Sequence, residues 1–130
     1  METVFLGDLT ARLDAGTPAI LRVRLTGKSA SREAGTVLAP LFDRALASAR
    51  DSGARLVLHF EHLEYFNSST IAALVQFIRT TQEAGVDLTV VYDPAQKWQA
   101  MSFDALRRAL RPFEGGSERI RFMSPTGDVP

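Results

Sequence analysis

Three short stretches of this 130-residue chain carry residue types that could do chemistry. Asn67-Ser68-Ser69-Thr70 places three hydroxyls in a row directly ahead of an apolar helical pattern. Asparagine and serine are preferred N-caps, because their side-chain oxygens accept from the free N–H groups of a first helical turn. Those same N–H groups and the helix dipole also favour an anion. A hydroxyl in such a place can carry a phosphate, about −1.5 to −2 charges, without melting the helix. No acidic side chain stands in the first turn to oppose it.

The other two stretches fit catalytic patterns poorly. Thr26-Gly27-Lys28-Ser29 is similar to the end of a phosphate-binding loop, but such a loop needs a glycine where Arg22 stands. A plain turn is predicted. His59 and His62 flank Phe60-Glu61 at a spacing of three, whereas a zinc-hydrolase helix spaces its histidines four apart around a glutamate. They read as structural or surface side chains. No serine sits in a GxSxG setting, and the absence of cysteine removes thiol nucleophiles, disulfides and Cys-based zinc sites. No enzyme, cofactor or metal is expected.

These stretches must be positioned by a small core. Hydrophobic residues make up 45% of the chain, enough for one domain, expected over residues 1–124 with a loose tail at 125–130. Fifteen basic side chains balance fifteen acidic ones, which argues against a broad grip on nucleic acid or anionic lipid. No apolar run approaches the roughly 20 residues of a membrane helix. The N-terminus lacks a signal-peptide pattern, so a cytoplasmic location is expected.

Alternation over Ile20–Leu25 predicts a half-exposed strand near a sheet edge, and such an edge could support a weak homodimer of an otherwise monomeric protein. A weaker strand pattern precedes it, around Val4 to Leu13. Glu33 to Ser52 shows an amphipathic helical stripe ended by Gly53, with Pro40 predicting a bend or a late start. Leu56–Phe60 reads as a central strand. Ile71, Leu74, Val75 and Ile78 mark the core stripe of a second helix, ended by Gly85, and Leu88–Tyr92 a further strand. Asp93, Pro94 and Gln96 are spaced as N-cap, first helical position and capping-box partner of a third helix. On that helix Trp98, Met101, Leu106 and Leu110 are predicted core, and Phe103, off the stripe, a partner contact. Arg107, Arg108 and Arg111 crowd its end, where cations suit the dipole. Ile120 and Phe122 make a last strand. The order predicts an α/β fold: a mixed, mostly parallel sheet of about four to five strands with three to four helices.

Tyr65-Phe66-Asn67-Ser68-Ser69-Thr70-Ile71, between a strand and an apolar helix, resembles the signature of STAS domains, the fold of anti-sigma-factor antagonists. Those domains usually read aspartate, serine, serine or threonine, glycine; here Asn67 replaces the aspartate and Thr70 the glycine. A nearer likeness is to the SiaC-type regulatory phosphoproteins, which carry asparagine followed by threonine or serine pairs and then isoleucine. Gly27-Lys28-Ser29, Glu33 and Pro40-Leu41 also echo that family. The likeness runs from Thr26 to Tyr92.

The resemblance implies a STAS-like single domain in a partner-switching system. There a GHKL-type serine kinase phosphorylates the first hydroxyl after the Asp/Asn, a PP2C-like phosphatase removes the phosphate, and the unmodified form binds its target. By position that hydroxyl is Ser68, with Ser69 the neighbouring alternative. The target is the kinase acting as an anti-sigma factor, or, in SiaC-like members, a diguanylate cyclase. The expected partner surface comprises Lys28, Ser29, Glu33, Asn67, Ser68, Ser69, Thr70 and Phe103. Two other readings compete: a constitutive STAS binding or scaffold subunit (for example of a transporter complex) with no phosphorylation, and a small nucleotide hydrolase using Lys28.

Overall fold

A computed structural model describes residues 2–17, 19–110 and 120–126. Seven strands and three helices follow one another as β1 (Glu2–Leu6), β2 (Leu9–Thr17), β3 (Ile20–Ser29), α1 (Ala34–Ser52), β4 (Arg55–His59), β5 (Leu63–Phe66), α2 (Ser68–Ala84), β6 (Leu88–Val91), α3 (Lys97–Leu110) and β7 (Ile120–Met123). They form one sheet in the order β1-β2-β3-β4-β6-β7, with β5 paired to the far end of β3. The β1–β2 and β2–β3 ladders are antiparallel, and the remaining ladders are parallel. The α/β class with a mixed sheet is as the sequence predicts, but the sheet is wider than four to five strands.

The extra width has two sources. The weak pattern of Val4 to Leu13 is a hairpin of two strands turning at Gly7, whose φ of 57° suits glycine. The polar link before Asn67 contains β5, too short to show a period. The position of β3 also differs from expectation: it lies inside the sheet, between β2 and β4, so its edge cannot pair with a second copy. Its alternation has another cause. Leu21, Val23 and Leu25 face the helices, while Arg22 and Arg24 lie on the face the helices leave uncovered. Thr26-Gly27-Lys28-Ser29 is likewise no turn but the end of β3. A Cβ at Gly27 would lie 1.9 Å from the Asp8 carbonyl oxygen, so the β1–β2 turn can cross there only over glycine.

All three helices pack on that one face. α1 runs unbroken through Pro40 and is capped by Gly53 at φ 70°. Phe42 of α1 stacks on Phe77 of α2, with ring centroids 4.7 Å apart. The buried arc of α2 is Thr70, Leu74, Phe77, Ile78 and Thr81, which leaves Ile71 exposed rather than in the core. Thr81 can occupy that arc because its hydroxyl donates to the Phe77 carbonyl at 2.8 Å.

The phase of α3 is rotated too. Its buried residues are Gln99, Phe103, Leu106 and Leu110, and Met101 is 66% exposed. Phe103 is therefore core and not a partner contact: its ring meets Phe60, Phe66 and Tyr92 at 4.9–5.5 Å. Gln99 is the reason for the rotation. It is fully buried, its Nε2 donating to the carbonyls of Phe60 and Leu63 and its Oε1 accepting from the Asp93 N–H. Asp93 does not cap α3, which begins at Lys97; it closes a preceding turn by accepting from the Ala95 N–H at 3.0 Å. Arg108 pairs with Asp104, Arg107 lies over the Phe122 ring, and Arg111 and tail residues 127–130 lie outside the described residues. No helix among the described residues is long and apolar enough to cross a membrane.

Candidate functional site

The three consecutive hydroxyls have three different environments, set by how the start of α2 meets the β3–α1 connection. Asn67, in extended conformation, is the N-cap. Its Oδ1 accepts from the Thr70 N–H at 3.0 Å and from the Thr70 hydroxyl at 2.8 Å. Its Nδ2 donates to the Ser31 carbonyl at 2.8 Å, and its backbone N–H to the Ser29 carbonyl at 3.0 Å.

Ser29 and Thr70 are both 1% exposed, with their hydroxyl oxygens 2.6 Å apart. The Thr70 proton is already committed to Asn67 Oδ1, an acceptor only, so Ser29 is the donor to Thr70. This closed chain joins the end of β3 to the first turn of α2. Neither residue can touch a partner, which corrects their place in the expected surface.

Ser69 is half-buried against α1. Its Oγ accepts from the Gly35 N–H at 3.0 Å and donates to the Arg32 carbonyl at 3.2 Å. A Cβ at Gly35 would sit 3.0 Å from both the carbonyl oxygen and the Oγ of Ser69, so the two helix starts are in close contact. Ser68, one residue earlier, is exposed. It faces solvent at a helix N-terminus with no acidic residue in the first turn.

Lys28, Arg32 and Glu33 are also exposed on the segment held against residues 67–70, so the structure brings Lys28, Glu33 and Ser68 to one end of the molecule. Two apolar side chains join them that sequence patterning did not assign here: Tyr65, 48% exposed, and Ile71, 36% exposed. Nothing in periodicity marks Ile71 as outward, since its spacing matches a core stripe. From Ser69 an open groove of about 390 Å³ continues between α1 and α2 over the Phe42–Phe77 pair. Among the described residues no group of three or more His, Cys, Asp or Glu side chains could hold a metal.

A family model for the STAS domain matches residues 15–107. The chain belongs to the STAS domain family. Residues 67–70 and the Lys28–Glu33 segment both lie within the matched part of this STAS domain. Its fold is similar to that in a solved structure titled the anti-sigma factor antagonist SpoIIAA in its unphosphorylated form, at 15% identity and a TM-score of 0.49, covering 76% of this chain and 96% of that one. No curated protein matches.

The two histidines of this STAS domain differ in their surroundings. His62 is exposed, and His59 is held between two charged groups. Arg22 Nη1 lies 2.9 Å from His59 Nε2, and Glu61 Oε1 lies 2.9 Å from His59 Nδ1. A guanidinium only donates, so Nε2 accepts and Nδ1 carries the proton given to Glu61. Burial pushes the Glu61 carboxyl up, but hydrogen bonding, led by the bond from His59, outweighs it and holds the group below its ordinary range.

Proposed function

We infer that this STAS domain is a partner-switching regulator whose docking surface is centred on Ser68 and controlled by reversible phosphorylation of that hydroxyl. One observation carries the reading: of three adjacent hydroxyls, those of Ser69 and Thr70 are spent on internal bonds, and Ser68 stands exposed. A kinase can take Ser68 without dismantling the fold. The helix N-terminus then holds the added phosphate, about −1.5 to −2 charges, with dipole and free N–H groups in its favour.

Tyr65 and Ile71 flank this serine and supply the apolar contact area that a protein partner covers. Phosphate placed among them in a closed interface loses water without gaining a counter-charge, which costs several kcal/mol. Turning a mostly bound population into a mostly free one needs about 5.5 kcal/mol, within reach of one such group. The reading names as enzymes of the cycle a GHKL-type serine kinase and a PP2C-like phosphatase, and as target that kinase as anti-sigma factor or a diguanylate cyclase. It places the domain in the cytoplasm with no catalytic role of its own.

Incubation with ATP and a GHKL-type kinase, followed by intact-mass measurement, tests it. One phosphate is expected on the wild type and on Ser69→Ala, and none on Ser68→Ala. A wild type that stays bare, or a phosphate that persists in Ser68→Ala, overturns the reading.

A further inference from the structure

The sheet ends on one side in β1, and among the described residues no strand lies beyond it. Gly7 and Asp8 form a two-residue turn, so Leu6 and Leu9 exchange backbone hydrogen bonds and the pairs alternate from there. Leu6, Val4 and Glu2 therefore spend their backbone groups on β2, whereas the N–H and C=O groups of Thr3 and Phe5 point away from the sheet. Lysine, proline and bulges, which normally blunt such an edge, are missing from Glu2–Leu6, and Phe5 is 73% exposed. The opposite edge strand, β7, carries the exposed Arg121.

The β1 edge is complementary to a second copy of itself. Under a two-fold axis through Val4, Thr3 of each copy lies opposite Phe5 of the other. Those are the residues with outward backbone groups, so each free donor meets an acceptor. The side chains match as well. On the face away from the helices Phe5 lies against Thr3 of the second copy, an aromatic beside a β-branched residue, and reaches the other Phe5 diagonally. On the helix side Val4, packed against the core, meets Val4. Glu2 comes opposite Leu6, with its carboxylate already held by Arg44. We propose that two chains pair antiparallel through β1 and join their sheets into one. A five-residue strand gives an interface below the roughly 1,200 Å² of stable complexes, so the dimer is weak and concentration-dependent. The Asp8 carbonyl accepts from the Lys28 N–H at 3.2 Å, which places the β1–β2 turn at the end of the molecule that bears Ser68. Antiparallel pairing sends those two ends apart and leaves both Ser68 surfaces open.

Sedimentation equilibrium of the full chain tests this. The weight-average mass is expected to rise from 14.3 kDa toward twice that value between about 10 µM and about 1 mM. In a mixture of ¹³C-labelled and unlabelled chains, isotope-filtered NOEs are expected between Thr3 and Phe5. Phe5→Lys puts a charge on the edge and should weaken the dimer at least about tenfold. Thr3→Pro removes one outward donor, leaves the β1–β2 ladder intact and should weaken the dimer too; should its amide shifts show β1 detached, Phe5→Lys still decides. Ser68→Asp should leave the dimer unchanged. A monomer mass up to about 1 mM, a dimer that survives Phe5→Lys, or intermolecular NOEs confined to β7 or the start of α2 overturns the proposal. No step needs a kinase or a phosphate, so failure here is distinct from failure of the Ser68 switch.

Discussion

The side-chain amide of Asn67 donates to the carbonyl oxygen of Ser31, 2.8 Å away, while its other end caps α2. Aspartate, usual at this position in the STAS signature, can accept from Thr70 but cannot donate to Ser31. Asn67→Asp should therefore keep the cap and lose the tether, setting a carboxylate against a carbonyl. The helix dipole returns about 0.3–1 kcal/mol to the negative charge, but an opposed acceptor pair costs about 1–3 kcal/mol. A net loss of roughly 1 kcal/mol is expected, read from the urea midpoint. The added charge beside Ser68 should also slow its phosphorylation.

The neighbouring serines separate stability from function. Ser69→Ala removes the acceptor of the Gly35 N–H and the donor to Arg32, a loss of about 1–2 kcal/mol. Ser68→Ala, at an exposed position, should stay within about 0.5 kcal/mol of the wild type. Urea unfolding of the pair checks this, and an equal effect of both would mean that Ser68 has a structural role.

Gln99 anchors α3 through three backbone groups, two of them more than thirty residues away. Gln99→Leu keeps the volume and strands the Leu63 carbonyl and the Asp93 N–H, while the Phe60 carbonyl keeps only the Leu63 N–H. At about 1–3 kcal/mol for each unsatisfied buried group, a loss of about 2 kcal/mol or more is expected in equilibrium unfolding.

That glutamine also marks where sequence reasoning reached its limit. The alternation of Leu21, Val23 and Leu25, the stripe of α1 and its Gly53 cap, and the hydroxyl-rich start of α2 were all legible, because each is a local pattern with a local physical cause. The phase of α3 and the outward turn of Ile71 were not. Each depends on a polar side chain, Gln99 or Thr70, that is buried because its partners lie on other elements. Hydrophobicity alone counts such residues as surface and rotates the helix accordingly. The differing roles of Ser68, Ser69 and Thr70 were hidden for the same reason: the groups that distinguish them, Ser29, Arg32 and Gly35, are more than thirty residues away.

Acidification should weaken the fold through Glu61. Its folded-state carboxyl lies below the ordinary value, so the pairing with His59 contributes fully above the unfolded pKa of about 4.3 and is lost as pH falls through the folded value. Glu61→Gln lacks this term. Between pH 6 and pH 3 the wild type should lose more stability than the variant, as followed by thermal melts at fixed ionic strength. Parallel curves would show that the pair carries no net coupling.

The switch itself is testable on its partner side. If the surface around Ser68 is the one a GHKL-type kinase grips, Tyr65→Ala and Ile71→Ala should each weaken complex formation by about 1–2 kcal/mol, because both expose apolar area that the partner covers and neither lies in the core. Ser68→Asp brings one carboxylate where phosphorylation brings nearly two charges, so it should weaken binding by at least about tenfold, and full release should need the phosphate. Ser68→Ala should bind as the unmodified wild type does. The melting temperature of Ser68→Asp should not fall, since an acidic side chain in the first turn of α2 is favoured by the dipole and Asn67 remains the cap. Calorimetric titration of the four variants reads the binding terms directly. Lost affinity in Ser68→Asp with a lowered melting temperature would assign the effect to folding and not to the interface.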